Sequence, residues 1–348
     1  MTLAGLTLSA AVKDEAHALG FDAVAIGPAS GADHADAFAH WLDAGYGGTM
    51  AYLARTRAER REPARLLPGA QAVVAVARSY HAGAERDAAA EARGWRGVAR
   101  YARGRDYHDV MRPPLQALGR FIDERAGARS RAVVDTSAVL ERDLAARAGL
   151  GWFGKNTNLL STELGSYFFI GIVLTTAALE PDGAVADRCG TCRACLDACP
   201  TNAFVAPYVL DGRRCISYLT IEHRGDVDEA LAAEAGGWVF GCDVCQEVCP
   251  WNRKAAVASE PAFEARDDFP ALDDLLRLDV AGFRDRFRGT ALSRAKRTGL
   301  ARNAAVVAAN QCDDTATPAL EDALDDAEAI VRRAAARSLA VLRRATRA

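Results

Sequence analysis

Two hydrophobic rhythms alternate over the first 180 residues. The segment from Thr7 to Leu19 has helical spacing and leads into a short strand at Asp22–Ile26, and compact apolar runs at Ala72–Ala77, Ala132–Val134 and Phe168–Thr175 read as buried strands. Between them, Leu115–Arg125, which follows Pro113-Pro114, and Leu140–Ala148 repeat at the 3.6-residue interval of amphipathic helices. The alternation predicts an α/β N-terminal domain over residues 1–180, with helices packed on a sheet whose strand order the pattern does not reveal. Residues 181–254 break the rhythm. Beyond them no strand pattern returns, and Ala301–Asn310, Thr317–Asp325 and Ala329–Arg344 read as successive short helices. Residues 255–348 are therefore expected to form an all-α, HEAT-like C-terminal domain.

Composition narrows the class. A chain of 348 residues, half of them apolar, can build two or three domains, and a net charge of -3 gives no global field for nucleic acid, so any basic surface must be local. Met1–Gly5 lacks the basic start of an export signal, and Lys13, Asp14 and Glu15 interrupt the following apolar stretch. No apolar run approaches the roughly 20 residues that span a bilayer. The expectation is a cytoplasmic protein with no membrane partner.

Eight of the nine cysteines fall between positions 189 and 249. The first run is Cys189-x2-Cys192-x2-Cys195-x3-Cys199-Pro200; the second, Cys242-x2-Cys245-x3-Cys249-Pro250, has Val239 where a further cysteine would stand. The first spacing is that of bacterial two-cluster ferredoxins, in which three close thiolates wrap one [4Fe–4S] cube and the fourth reaches the other. On that rule Cys189, Cys192, Cys195 and Cys249 hold one cluster. Cys199, Cys242 and Cys245 supply three ligands to the second, and Cys215 is the nearby candidate for its fourth. Paired CxxC motifs also suit two structural zinc sites, but zinc requires neither the third cysteine nor the Cys-Pro endings. Cys312 stands apart and reads as a free thiol. A pair of one-electron cubes makes a ferredoxin-like bis-[4Fe–4S] domain of residues 181–254: a wire between an external electron donor and the N-terminal domain.

Several longer strings then resemble the epoxyqueuosine reductase family: Tyr101-Ala-Arg-Gly-Arg-Asp-Tyr-His108, Val134-Asp-Thr-Ser137, Ala148-Gly-Leu-Gly-Trp-Phe-Gly-Lys-Asn156, Gly165-Ser-Tyr-Phe-Phe169, Arg214-Cys-Ile-Ser-Tyr-Leu-Thr220, Gly241-Cys-Asp-Val-Cys-Gln246 and Cys249-Pro-Trp-Asn-Arg253. The resemblance implies a cobalamin-dependent oxidoreductase that reduces epoxyqueuosine to queuosine at the wobble position of tRNA with a GUN anticodon, the last step of queuosine biosynthesis. It implies that residues 1–180 bind cobalamin, that cob(I)alamin is recharged through the two clusters, and that the helical tail grips tRNA. Asp106-Tyr107-His108 begins like the DxHxxG signature of base-off cobalamin proteins, but Met111 replaces its glycine, so His108 is not read as a lower ligand.

Epoxide removal needs two electrons and two protons, with an acid beside the departing oxygen. By resemblance that acid is Asp135, at the end of the Ala132–Val134 strand, where partial desolvation can raise a carboxyl pKa; an Asp after a strand can equally cap the helix that follows. The glycine-rich stretch ending in Lys155, Asn156 and Thr157 is set against the corrin, Ser217 and Tyr218 in the gap beside Cys215, and Arg57 and Tyr107 are added from the N-terminal half. For tRNA, Arg294, Lys296, Arg297 and Arg302, and then Arg332, Arg333 and Arg337, form acid-free basic stretches suited to phosphates, as they would also suit a solvated helix face. The rival readings are a reductive dehalogenase-like cobalamin enzyme and a ferredoxin-type electron-transfer module.

Overall fold

The computed structural model describes residues 7–345. The N-terminal half is built on a four-stranded sheet, β1 (Ala23–Pro28), β2 (Ala72–Ser79), β3 (Ser130–Val133) and β6 (Phe168–Thr175), in the order β1-β2-β6-β3. A separate two-residue pair, β4 (Trp152–Phe153) with β5 (Leu159–Leu160), lies between β3 and β6 in sequence. Every pairing in the large sheet is antiparallel, with Ala75 opposite both Ala25 and Ile172, and Ala132 opposite Val173. Helix–strand alternation thus does not produce the parallel crossovers of a doubly wound fold.

Helices cover both faces, which explains why β2 and β6 are apolar throughout instead of alternating. Val74, Val76 and Val173 face Val12, Ala16, Met111, Leu115 and Ile122 of the helices Leu8–Ala18 and Tyr107–Ala126. Val73, Ala75, Ile172 and Leu174 face Leu144, Ala145 and Ala148 of the helix Glu141–Ala148. Side chains such as Leu115, with no exposed surface, contribute about 2 kcal/mol each by burial. The second contact is close: a Cβ on Gly27 of β1 would come within 2.8 Å of the Ala148 backbone.

The Tyr107–Ala126 helix begins well before the predicted start at Leu115 and contains both Pro113 and Pro114. Two missing N–H donors are tolerated because Asp106 caps the first turn at the His108 amide and the buried stripe from Met111 to Ile122 fixes the helix on the sheet. The helix carries Tyr107 and His108 at its start, against the end of β3.

After β6 the chain runs back along the edge of β1, where Asp182 bonds the Ile26 amide and Lys13. It then enters the cysteine segment, whose short helices Ala194–Asp197 and Val244–Glu247 lie against each other. Among the described residues from 255 on there is no strand. Helices Leu272–Arg277, Val280–Phe287, Lys296–Asn310, Thr317–Asp322 and Ala329–Ala345 share one core, which also takes in Trp95, Val98 and Phe240. No helix among the described residues is long and apolar enough to cross a membrane.

Candidate active site

The eight clustered thiols gather as two quartets. Burial, and then the neighbouring thiols of Cys249, Cys189 and Cys192, raise the pKa of Cys195, and Cys189 and Cys192 are likewise the thiol neighbours that add to burial at Cys249. Burial does the same at Cys242 and Cys245, with Cys215 beside both and Cys199 beside Cys242; Cys195 is the one thiol of the other quartet felt at Cys245. Cys249 therefore stands with the first run and Cys199 with the second. Among the described residues no group of three or more His, Cys, Asp or Glu side chains is set to hold a single metal ion. Backbone amides point at the sulfurs, Ala203 N–H at Cys199 Sγ (3.4 Å) and those of Trp251 and Asn252 at Cys249. Such bonds favour the thiolate that an iron cluster requires. The donor set fits two such clusters.

Adjacent residues of the glycine-rich loop fasten the two quartets. Lys155 Nζ donates to the carbonyls of Gly190 and Cys192 at 2.6 and 2.9 Å, on the first quartet's loop. Asn156 Nδ2 donates to Cys245 O at 3.2 Å, on the second's. The loop turns back on itself as β4 and β5, and a Cβ at Gly151 would lie 2.0 Å from the Leu160 carbonyl, so only glycine fits there. Lys155, expected on the corrin, is thus spent on the first thiol loop.

A cleft of about 370 Å³, continuous with solvent, opens where this loop, β6 and the second quartet meet. Phe168, Ile170 and Leu159 give it apolar walls; Asn156, Thr157, Asn158, Ser217 and Arg142 give it polar ones. Cys199, Cys215, Cys242 and Cys245 close one end. An apolar chamber with a few convergent amides and hydroxyls is the surface that a macrocycle with amide side chains requires. Thr157 holds a left-handed φ of 65°, and its carbonyl accepts from Arg142. Tyr218, expected here beside Ser217, points away: its hydroxyl accepts from the Thr49 amide at 2.9 Å and anchors the turn around that residue. Arg57 does not line the cleft; it forms a surface pair with Asp43 at 2.9 Å.

Asp135 stands beyond the cleft wall, linked to it through Tyr101 and Tyr107, whose rings meet edge to face. Its φ of 53° turns the side chain out of the strand line, and no side chain caps the Glu141–Ala148 helix, so Asp135 is not a helix cap. Tyr107 Oη donates to Asp135 Oδ2 at 2.8 Å. His108 bonds Asp106 Oδ1 through Nδ1 at 2.8 Å, while its Nε2 lies 3.4 Å from Asp135 Oδ2 without completing a hydrogen bond. Burial disfavours the imidazolium, but the two carboxylates outweigh it and raise His108 to about 9. Burial likewise works to raise Asp135, yet His108, Tyr107 and, farther off, Arg294 hold it below the ordinary carboxylate value. The expected upward shift is reversed: the proton resides on His108, and the Asp135 side chain, 49% exposed, meets the opening as a carboxylate.

Two neighbours escaped the sequence reading. Glu141 is pushed up to about 8 by burial and then by the charge of Asp135, so it is protonated at neutral pH, and its Oε1 has no partner. In sequence it looks like an ordinary acid in a helix's first turn. Glu222 pairs with Arg294 at 2.5 Å beside Tyr52, whose hydroxyl lies 3.4 Å from that guanidinium. Arg294 is thereby brought from the helical region to the mouth above Asp135.

The other basic candidates separate by burial. Lys296 is exposed. Arg302 is only 2% exposed and donates to the carbonyls of His223, Gly225 and Leu219 at 2.8, 2.9 and 2.5 Å, so it cannot reach a phosphate. Arg297 is locked to Asp326 and to Leu278 O at 2.8 Å. Arg332, Arg333 and Arg337 lie on the surface, where Arg332 bonds the Ala327 carbonyl at 3.0 Å, Arg333 pairs with Asp226 at 2.8 Å and Arg337 approaches Glu229 at 3.9 Å.

Residues 60–136 match a family model described as "Epoxyqueuosine reductase QueG, DUF1730", and residues 188–252 match a "4Fe-4S double cluster binding domain". The chain is 43% identical over 304 residues to an epoxyqueuosine reductase of Pseudomonas aeruginosa (86% of this chain, 84% of the relative) and 44% identical over 306 residues to that of Gloeobacter violaceus (85% and 94%). Among solved structures it resembles an epoxyqueuosine reductase bound to an epoxyqueuosine-modified tRNA-Tyr stem loop, with a TM-score of 0.86, 30% identity and coverage of 95% of this chain and 89% of that one. A Bacillus subtilis epoxyqueuosine reductase, captured with its catalytic aspartate loop swung out of the active site, gives a TM-score of 0.87 at 31% identity, with the same coverage.

Proposed function

The chain belongs to the epoxyqueuosine reductase family, and from that premise we propose that its cleft reduces epoxyqueuosine to queuosine at the wobble position of a GUN-anticodon tRNA, with Asp135 and His108 as its proton-handling pair. The protein is an oxidoreductase acting on tRNA and carries a double [4Fe–4S] domain. The observation that carries the proposal is a carboxylate–imidazolium pair joined through Tyr107 and Tyr101 to a cleft lined by four thiols.

Cys189, Cys192, Cys195 and Cys249 would hold one cluster, and Cys199, Cys215, Cys242 and Cys245 the other. Cobalamin would be held by Asn156, Thr157 and Ser217 over the apolar wall of Phe168 and Ile170, with Arg142 fixing the loop. When bound it supplies a two-electron reductant for the epoxide carbons, recharged one electron at a time from the clusters. The substrate gains two electrons and two protons, loses both C–O bonds to its bridging oxygen, and releases that oxygen as water. Asp135 receives the His108 proton across 3.4 Å and presents it to the departing oxygen, while the Tyr107 hydroxyl fixes the carboxylate. The second proton arrives from solvent through the open mouth or from Glu141, which stores one at neutral pH. Arg294 faces the same mouth, where it suits a phosphate of the bound nucleotide.

We assign residues 1–180 to cobalamin binding, 181–254 to the clusters and 255–348 to tRNA binding. The core shared by the five helices between Leu272 and Ala345 supports a HEAT-like stack there. A cytoplasmic location follows from a tRNA substrate. The test is anaerobic reconstitution: about eight iron atoms per chain, cobalamin absorption bands that shift on reduction, and conversion of an epoxyqueuosine stem loop only when cobalamin is present. Full iron content with cobalamin-independent conversion would overturn the cofactor assignment.

A further inference from the structure

The two quartets differ in what surrounds them. The second closes the cleft, whereas the first faces outward: Cys192 is exposed, as are its neighbours Thr191 and Arg193. The β-hairpin Phe204–Ala206 with Val209–Leu210, whose Phe204 and Leu210 line the cleft, carries Val205 (50% exposed) and, at its turn, Tyr208 (43%), two of the six large apolar side chains left exposed among the described residues. Tyr208 is held there by its amide bond to Lys155 O (3.0 Å) and its hydroxyl bond to Asp187, and its hydroxyl feels the charges of Cys189 and Cys195. On the other side, Trp251, Cys189 and Val185 all pack against the buried group Trp152, Leu160 and Cys249, which brings the turn Pro250–Lys254 and its exposed Arg253 and Lys254 to the same region.

Unpaired cations outnumber unpaired acids on this face: Asp197 pairs with Arg193 at 3.4 Å and Glu247 with Arg100 at 2.7 Å, while Asp187 keeps its charge and bonds the Tyr208 hydroxyl and the Cys189 amide. Among the described residues Arg188, Arg253 and Lys254 have no carboxylate partner. In a chain whose net charge is -3, this is a cationic rim around a small apolar centre. Small patches of this composition form short-lived redox encounters, burying less than about 1,200 Å² in total, in which complementary charge sets the association rate. Asp135 is linked through Tyr107 and Tyr101 to the cleft lined by the other quartet, away from this rim.

We propose that the face bearing Arg188, Arg193, Arg253, Lys254, Val205 and Tyr208 is the docking surface of an acidic one-electron carrier protein. The proposal rests on the assignment of Cys189, Cys192, Cys195 and Cys249 to a cluster. Each encounter transfers one electron: the carrier is oxidised, the iron–sulfur group of this quartet is reduced, and no bond or proton moves.

The test uses full-length reconstituted protein and an acidic plant-type [2Fe–2S] ferredoxin as the probe. Two quantities are read: the affinity of the oxidised probe, and the second-order rate at which the reduced probe bleaches the clusters, both across ionic strength. The double variants Arg188→Glu/Arg193→Glu and Arg253→Glu/Lys254→Glu are each expected to lower the rate about tenfold or more at low salt and to abolish its salt dependence. Bleaching by dithionite should stay unchanged. The second variant lies outside the first cysteine run, so it decides the matter if the first loses iron. Wild-type rates in a variant with full iron content would overturn the docking surface, as would weakened stem-loop binding with carrier affinity intact. Failure of dithionite to bleach even the wild type would instead overturn the cluster assignment itself.

Discussion

Between Asp106 and Asp135 sits one imidazole, and its charge decides what the aspartate can do. An isolated carboxyl at a strand end would gain a proton by desolvation; this one loses it, because Tyr107 and His108 arrive from the start of a helix 28 residues upstream. Asp135→Asn is expected to retain iron and cobalamin binding but lose about 10²–10⁴-fold in turnover, since the amide cannot relay a proton. Normal turnover would assign the relay elsewhere. His108 is raised from 6.5 to about 9, so its proton is present below that value and lost as pH rises through it. Turnover should therefore fall above about pH 9, and in His108→Gln that fall should vanish while the overall rate drops; a limb unchanged in the variant would clear His108 of this role. That Asp135 lies just past a strand was legible in the sequence, since β3 ends at Val133. Its ionisation was not, because that depends on a contact between segments that spacing cannot connect.

Elements with strong periodic signals appeared where the sequence placed them, Phe168–Thr175 at its predicted bounds. The misreadings have physical causes. Pro113 and Pro114 look like a helix start, yet the buried stripe of the Tyr107–Ala126 helix carries through them. Arg302 looks like one of a run of surface cations, but in the Lys296–Asn310 helix it falls on the face turned toward residues 219–225. Burial, then nearby Arg224, lower it to about 10, so it stays charged and its bonds to three carbonyls hold the end of the Ile216–Ile221 helix, which begins one residue after Cys215. Arg302→Ala should cost about 3 kcal/mol of stability through unsatisfied carbonyls, seen as a lower denaturant midpoint, with stem-loop affinity unchanged in the folded protein. A selective loss of RNA affinity at full stability would return Arg302 to the interface.

Across the whole molecule, three regions meet at one mouth: Asp135 from the sheet unit, Glu222 from the cysteine region and Arg294 from the helical tail. A net charge of -3 means that RNA must be drawn by such local sites. Arg294→Ala is expected to raise the stem-loop KM about tenfold. Replacing Arg332, Arg333 and Arg337 together by Ala should weaken affinity and flatten its salt slope, and an unchanged slope would remove the last helix from the interface. Cysteine spacing alone suggested how the thiols sort, because cluster geometry constrains the chain over short distances; the convergence at the mouth needed the fold. The most direct measurement is a single anaerobic turnover of an epoxyqueuosine stem loop by reconstituted, cobalamin-loaded protein, read by product mass. Wild type should remove one oxygen per stem loop, and Asp135→Asn, equally loaded with iron and cobalamin, should remove almost none. Equal conversion by both, or none by a fully loaded wild type, would contradict the account.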